Sequence, residues 1–421
     1  MMEQRERALL VGVNKNNQYH FQESMEELKN LATACDLEVV GKIEQNLKAF
    51  NKVHYIGSGK VEEVMALMDE TRADVLIFND ELSPSQLRNL EKALDNKIMD
   101  RTSLILEIFA QRAKTREAKL QVEVASLQYA LPRLIGSNES LGRQSGGVGT
   151  KNRGSGEKKL ELDRRKIEEK IVELNKELEY ISSERETQRK KRNKAGLPKV
   201  ALVGYTNAGK STLMNAMVEF FQKSETKKVL EKDMLFATLE TSVRNITLPD
   251  NKAFLLSDTV GFVSKLPHNL VKAFRSTLEE VREADLLLHV VDASNPNYEQ
   301  QIEITNETLK QIGVADISTI TVYNKADLTT LNIPFVEAEK VYISAKTKVG
   351  LNELILLIKN KIFNQYIECK MLIPYDQGGI VSYFNKNAHV KSASYESNGT
   401  LLAIECSESD YKRYEQFTCI E

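Results

Sequence analysis

The sequence GYTNAGKS at residues 204–211 constrains the fold of this chain more than any other feature. It has the spacing G-x-x-x-x-G-K-S, it follows the apolar run KVALV, and it opens a stretch of helical character, STLMNAMVEF. A glycine-rich loop between a strand and a helix presents backbone N–H groups to phosphate oxygens. In such a loop Lys210 reaches the β- and γ-phosphates and the Ser211 hydroxyl binds Mg²⁺. The motif therefore predicts a nucleotide-binding α/β domain with a parallel sheet.

Four further segments follow in the order that a GTP-binding domain requires. They are Thr238 in MLFATLE, DTVG at 258–261, NKAD at 324–327 and SAK at 344–346. The last three close the apolar runs AFLLSD, TITVYN and VYIS, which are typical of buried parallel strands. Taken singly, SAK is a weak signal and Thr238 is a weaker one, but the order of the four segments and their positions at strand ends are together very specific.

The NKAD segment selects the base. A carboxylate at Asp327 accepts hydrogen bonds from N1–H and N2–H₂ of guanine, and adenine presents no such pair of donors on that edge. Adenine would leave a buried charge unpaired, which is costly. The sequence therefore predicts GTP and GDP as the bound nucleotides.

Each predicted site residue lies in one of these motifs. The nucleotide-binding residues are Gly204, Tyr205, Thr206, Asn207, Ala208, Gly209, Lys210, Ser211, Phe236, Ala237, Thr238, Leu239, Glu240, Asp258, Thr259, Val260, Gly261, Asn324, Lys325, Ala326, Asp327, Ser344, Ala345 and Lys346. Mg²⁺ is assigned to Ser211 and Thr238, and to Asp258 through water. Lys210, Thr238 and Gly261 are assigned to catalysis, the Gly261 amide meeting the γ-phosphate.

Phe262 follows DTVG, where many GTPases have a glutamine that orients the attacking water. A phenylalanine cannot perform that task, and the simplest alternative is that Phe262 is a core residue. In both cases no water-positioning group or arginine finger is evident. We expect slow intrinsic GTP hydrolysis that a partner accelerates.

The sequence patterns predict that the whole chain has four parts. Strand–helix alternation predicts an α/β subdomain at 1–103, and residues 104–198 predict two long antiparallel helices around a glycine-rich loop at 136–156. In the first helix a stripe from Ile105 to Leu131 is continuous, and Pro132 is expected to end it. Residues 199–364 form the GTPase domain, and 365–421 contain short β-like runs of a small α+β unit.

Charge is distributed unevenly along the chain. Residues 101–199 contain 23 Lys and Arg against 14 Asp and Glu, whereas the remainder contains 35 against 46. Such asymmetry is typical of a chain in which one part faces a polyanion, although a solvated charged helix pair would have a similar composition. Four scattered cysteines, no apolar run of membrane-spanning length and no secretory signal predict a cytoplasmic protein.

The chain closely resembles the HflX family of ribosome-associated GTPases. The resemblance rests on DTVGF and FATLE in the GTPase core, and on YIGSGKVEEV (55–64), NDELSPSQLRNLEKAL (79–94) and DRTSLILEIFAQRAKTREAKLQVEVASLQYALPRL (100–134). It covers roughly six-sevenths of the chain. Two details depart from the family: the loop reads GTKNRGSGEK instead of GTRGPGET, and Glu240 replaces the usual Asp.

The resemblance implies a monomeric GTPase that binds the large ribosomal subunit, with the helical hairpin directed at ribosomal RNA. It also implies splitting of stalled or idle ribosomes, or a role in subunit biogenesis. Two alternatives are a nucleotide-gated adaptor of a membrane protease, with peripheral membrane association, and ATP-dependent RNA remodelling by the N-terminal region. For the latter, GSGK at 57–60 follows the strand-like KVHYIG and opens a helix, although a plain tight turn is the favoured explanation of this segment.

Overall fold

A computed structural model of the chain describes residues 5–16, 20–135, 153–193, 197–221, 236, 241–265, 275–364 and 366–419. The chain divides into two compact units. The first comprises Met1–Lys190, Lys232–Glu240 and Val263–Ser276, and the second comprises Lys191–Glu231, Thr241–Phe262 and Thr277–Glu421.

The first unit contains a parallel sheet with helices between its strands. The strands are β1 (Arg7–Lys15), β2 (Glu38–Leu47), β3 (Val75–Phe78) and β4 (Lys97–Asp100), in the spatial order β2-β1-β3-β4. The connecting helices are α1 (Phe21–Ala34), α2 (Ser58–Thr71) and α3 (Pro84–Leu94). All four residues of β3 are buried, as a central parallel strand requires. The α/β architecture predicted for this region is confirmed.

The prediction that KVHYIG forms a strand is wrong. The Asn51 side-chain oxygen accepts hydrogen bonds from the backbone N–H groups of Val53 (2.8 Å) and His54 (3.1 Å), so residues 52–54 form a turn, and Tyr55 makes only an isolated bridge to Asn51. Helix α2 does begin at Ser58, but the Gly57 N–H already donates to the Gln45 side chain at 2.9 Å. The strand–loop–helix setting of a phosphate-binding loop is therefore not present here.

The first predicted long helix is divided in two. Helix α4 (Arg101–Arg112) ends at Ala113, whose backbone is extended, and α5 (Arg116–Ile135) begins after Thr115, whose hydroxyl accepts a hydrogen bond from the Ala118 N–H at 3.2 Å. The expectation that Pro132 ends the helix is also wrong. Its missing N–H removes one hydrogen bond in the last turn, which the helix tolerates.

Helix α5 packs against a second long helix, α6 (Arg153–Asn193), along the predicted apolar stripe. The side chains in contact are Leu120, Val124, Leu127, Ile171, Leu174, Leu178 and Ile181. Ion pairs join Arg116 to Glu177 and Glu117 to Arg185, each at 2.6 Å, so the start of α5 lies beside the later part of α6. Within the described ranges, no helix is long and apolar enough to cross a membrane.

The second unit is built on a mixed sheet whose described strands number seven. Their order is β10-β11-β9-β8-β5-β7-β6, with β6 and β10 antiparallel to their neighbours. The strands are β5 (Lys199–Val203), β6 (Ser242–Thr247), β7 (Ala253–Asp258), β8 (Leu286–Asp292), β9 (Thr319–Asn324), β10 (Phe335–Glu337) and β11 (Lys340–Tyr342). The helices are α7 (Lys210–Phe221), α8 (Arg275–Arg282), α9 (Tyr298–Gln311) and α10 (Leu351–Ile362). The parallel strands predicted from apolar runs are confirmed.

Residues 366–419 form a small α+β part of the second unit, here called the C-terminal module. Three described strands, β12 (Ile367–Ile373), β13 (His389–Glu396) and β14 (Gly399–Cys406), pair in the order β12-β14-β13. Helices α11 (Gly378–Asn387) and α12 (Glu408–Tyr414) accompany them. Alternate residues of β14 join Phe384 of α11 in a separate apolar core, which matches the predicted small α+β unit.

Candidate nucleotide site

The loop at 204–209 has the backbone shape that phosphate binding needs. It leaves β5 at Val203 and enters α7 at Lys210, and Gly204 and Gly209 have φ values of 143° and 92°. A Cβ atom on Gly204 would lie 2.2 Å from the Val290 carbonyl oxygen, and one on Gly209 would lie 2.2 Å from Asn324 Nδ2. Both positions therefore require glycine for space as well as for φ.

Lys210 points back into its own loop. Its Nζ donates hydrogen bonds to the carbonyl oxygens of Gly204 (3.0 Å) and Tyr205 (2.8 Å), and the residue is 6% exposed. Burial lowers the pKa of Lys210 to about 8, while the Asp258 carboxylate opposes that shift. An anion placed within the loop would favour the charged ammonium, so phosphate binding stabilises this buried cation.

Ser211 and Asp258 bring two hard oxygen donors together. The Ser211 hydroxyl donates to Asp258 Oδ2 at 2.6 Å, and Asp258 is fully buried at the end of β7. Hydroxyl and carboxylate oxygens are donors that Mg²⁺ accepts beside nucleotide phosphates. The residues present therefore fit a magnesium ion.

Asn324 connects the three loops expected to surround the base. Its Nδ2 donates to the Ala208 carbonyl at 3.0 Å, and its Oδ1 accepts from the Ala345 N–H at 2.9 Å. The phosphate loop, NKAD and SAK are therefore held together by one buried amide. Asp327 follows in a short 3-10 turn and is exposed, so its carboxylate can accept donors from outside the protein.

Phe262 packs into the protein and pairs with the phosphate loop. It is 4% exposed, its N–H donates to the Gly204 carbonyl at 3.1 Å, and its carbonyl accepts from the Thr206 N–H at 2.8 Å. This agrees with the alternative that Phe262 is a core residue. Gly261 lies beside it, where a Cβ atom would be 2.8 Å from Lys210 Nζ.

Not every predicted site residue can be located. Ala237, Thr238, Leu239 and Glu240 lie outside the described residues, as do residues 136–152 of the glycine-rich loop. Phe236 is described and belongs to the first unit, where its ring meets that of Phe109 edge to face at 4.6 Å. The remaining predicted residues follow β5, β7, β9 and β11, whose carboxyl ends meet at one edge of the sheet.

Two residues near the site were not predicted. Asp292, at the end of β8, accepts from Lys325 Nζ at 2.7 Å and thereby orients the lysine of NKAD. His289, in the same strand, is 3% exposed, and burial with the nearby charge of Lys210 lowers its pKa to about 4. The signal for Asp292 was present in the sequence as the polar end of LLLHVVD, a strand that neighbours the phosphate-loop strand.

Solved structures similar to this chain include nucleotide-bound GTP-binding proteins. One is the complex of SsGBP and GDP, which is 25% identical to this chain and has a TM-score of 0.47. The match covers 86% of this chain and 99% of that chain. Another is a GTP-binding protein from Sulfolobus solfataricus in complex with GDP, at 24% identity, covering 85% of this chain and 98% of that one with a TM-score of 0.43.

Comparison of the sequence with known families and relatives shows to which family this chain belongs. Residues 22–110 match the family described as GTP-binding GTPase N-terminal, 112–192 match GTP-binding GTPase Middle Region, and 199–325 match 50S ribosome-binding GTPase. The GTPase HflX of Caldanaerobacter subterraneus is 42% identical over 98% of this chain and 94% of its own length. The GTPase HflX of Escherichia coli is 37% identical over 93% of this chain and 91% of its own length. The chain therefore belongs to the HflX family of GTPases and is a GTP hydrolase.

Proposed function

We propose that this GTPase binds the large ribosomal subunit in its GTP-bound form and separates the subunits of stalled or idle ribosomes. The same contacts with the large subunit would also serve a role in subunit biogenesis. The observation that carries the proposal is the helical hairpin. Helix α6 has 41 residues, which corresponds to about 60 Å, and it packs against α5 along an apolar stripe. Helix α5 has 20 residues, and its apolar contacts on α6 run from Ile171 to Ile181, so a long helix that is braced along part of its length can act as a lever.

The charges of the hairpin support an RNA target. Along the middle of α6, basic residues pair with acidic ones on the same helix, as in Arg164–Glu168 at 2.8 Å and Lys170–Glu173 at 2.9 Å. Over residues 136–199 the surplus of basic over acidic residues therefore falls at the two ends. One end is RKKRNKAGLPK at 189–199, which has no acidic residue, and the other is the glycine-rich loop with Arg143 and Lys151. Phosphate contacts by such residues supply most non-specific affinity for nucleic acid.

The family description of residues 199–325, 50S ribosome-binding GTPase, supports the same target. We also infer four functional parts: the α/β subdomain 1–103, the hairpin 104–198, the GTPase domain 199–364 and the module 365–421. In this scheme the GTPase domain times the contact with the ribosome, and the hairpin performs the mechanical work.

The proposed hydrolysis site uses the residues around the phosphate loop. Ser211 and Thr238 would hold Mg²⁺, with Asp258 acting through water, and the ion would neutralise charge on the β- and γ-phosphates. Lys210 would bind the same phosphates, and Asp327 would select guanine. Because Phe262 is apolar and buried, we assign activation of the attacking water to a group supplied by the ribosome.

The tip of the hairpin provides the test. Deleting 137–155 and joining the helices with a short linker should leave nucleotide binding intact and sharply reduce the rate of ribosome splitting, measured by light scattering. A matched variant keeps the loop length and replaces Arg143, Lys151 and Arg153 with serine. It should split ribosomes slowly if the tip acts through charge. Wild-type rates for both variants would contradict the lever. Absence of nucleotide-dependent comigration of the wild-type protein with large subunits would favour the adaptor instead.

A further inference from the structure

The connection between β9 and β11 contains no α-helix, although these two strands are parallel neighbours. A connection between parallel strands usually carries a helix that covers one face of the sheet. Residues 325–339, all of which the structure describes, contain only the 3-10 turn Ala326–Leu328 and the three-residue edge strand β10. This connection therefore leaves β11 without the helix that would normally cover it.

The face of the sheet that lacks this helix can be identified from the strand order. The chain passes from β8 to β9 and then to β11, which is one direction across the sheet. Right-handed connections in the same direction lie on the same face. Helix α9 forms the first of the two connections, and the ring of its Tyr298 meets Tyr323 of β9 edge to face at 5.8 Å between centroids. The helix is therefore absent from the face of β11 on the side of Tyr323.

Three aromatic rings lie side by side on this face and are here called the aromatic ladder. Tyr323, Tyr342 and Phe335 are directly opposite one another in β9, β11 and β10. The Tyr323 and Tyr342 rings stack at 4.5 Å, and the Tyr342 and Phe335 centroids are 5.6 Å apart. Tyr323 is buried, Tyr342 is half-buried and Phe335 is 48% exposed. The ladder thus runs from the core to the edge of the sheet, where its last ring meets solvent.

Pairing within the sheet explains only part of the ladder. Aromatic residues opposite each other stabilise neighbouring strands, and this accounts for the stacked pair of Tyr323 and Tyr342. It does not account for a half-exposed phenylalanine on an edge strand, because an exposed apolar edge favours unwanted association. Leu328 and Leu331, in the same connection, are exposed as well. A concentration of exposed apolar side chains in one short segment is typical of a contact surface.

The surroundings of the ladder are acidic. Glu337 lies two residues after Phe335 in β10 and therefore on the same face, opposite Lys340. Burial raises the pKa of Tyr323, and nearby groups that include Glu299 and Glu337 act in the same direction, so both carboxylates lie near the ladder. Residues 295–343 contain seven acidic and three basic residues. The charge of this surface attracts cations and repels phosphates.

We propose that the exposed end of the aromatic ladder, with the carboxylates of Glu299 and Glu337, is a docking surface for an arginine-bearing segment of a partner protein. A guanidinium is planar, stacks on aromatic rings and pairs with carboxylates, so it matches both features of the surface. It would add one further layer to the ladder on the ring of Phe335. A nucleobase has a similar flat shape, but its phosphates would meet negative charge.

The test measures the affinity of the full-length protein for a fluorescein-labelled peptide of four Arg-Gly repeats, by fluorescence anisotropy at low salt. Phe335→Leu removes the ring and keeps an apolar side chain. Glu299→Gln combined with Glu337→Gln removes the two carboxylates. The matched control is Glu62→Gln combined with Glu70→Gln, which removes two exposed carboxylates from α2 in the first unit. The affinity for GDP, which should not change in any variant, verifies that the nucleotide site is intact.

Phe335→Leu should weaken binding of the peptide about threefold, the loss expected for one cation–π contact at an exposed site. The Glu299 and Glu337 double variant should lose about as much, since surface ion pairs are individually weak. Phe335→Tyr, which keeps an aromatic ring, should bind like wild type, and so should the matched control.

Four results would overturn the proposal. Equal affinities of wild type and Phe335→Leu would show that the ring makes no contact, and an equal loss in the matched control would show that any acidic surface binds the peptide. A single-stranded RNA octamer that binds wild type and not Phe335→Leu would assign the ladder to nucleic acid. A dimer in sedimentation that Phe335→Leu abolishes would assign it to a second copy of this chain.

Discussion

His289 should make the GTPase sheet sensitive to acid. Its side chain is buried in β8, and its pKa in the folded protein is about 4, against an ordinary value of 6.5. The unfolded chain therefore takes up the proton first as the pH falls. The stability contributed by the neutral imidazole is complete above pH 6.5 and is lost as the pH falls from 6.5 towards 4.

The size of the effect follows from the two pKa values. Between pH 7.5 and pH 5 the preferential protonation of the unfolded chain should lower the free energy of unfolding by about 2 kcal/mol. The loss has a clear physical cause, because a protonated His289 would be a second buried cation near Lys210. Below about pH 4 both states carry the proton, and this contribution stops changing.

The assay compares urea unfolding of wild type and His289→Gln at the two pH values. The substitution removes the titrating group, so the variant should lose about 2 kcal/mol less than wild type over this interval, whatever its stability at pH 7.5. His54→Gln, which removes a half-buried histidine of the first unit, is the control and should retain the wild-type loss. If His289→Gln and wild type lose the same stability, the burial argument is wrong.

Three other outcomes are expected. Asp327→Asn should weaken GTP binding by about 1.5–3 kcal/mol and relax discrimination among purines, since a charged acceptor is lost; unchanged affinity in calorimetry would refute the NKAD assignment. Phosphate release by the protein alone should be slow and should rise with purified large subunits, and fast turnover with no response would contradict the role given to Phe262. Gly209→Ala should abolish measurable nucleotide binding in a fluorescence titration, because the added Cβ would lie 2.2 Å from Asn324 Nδ2; near wild-type binding would show that the loop can adapt.

The nucleotide motifs and the strands that carry them could be predicted because their signals are local. The phosphate loop needs glycine at two positions and a lysine and serine at the following two, and each requirement is visible in eight consecutive residues. Buried parallel strands such as β5 and β8 are continuous apolar runs, which few other structures produce. The apolar stripe that joins α5 and α6 was visible for the same reason, since its period is that of the helix.

The tertiary structure decided features that depend on distant residues. Arg101 appears in the sequence as an ordinary charged residue, yet it is 1% exposed, because Glu27 pairs with its guanidinium and Asn79 accepts from it at 3.0 Å. Lys252 is buried because the C-terminal module supplies Glu405 more than 150 residues later. The edge strand β6 has half-buried, mixed side chains that show no clear alternation. A charged side chain is buried only where its partners converge, and that convergence is a property of the folded chain that no local pattern records.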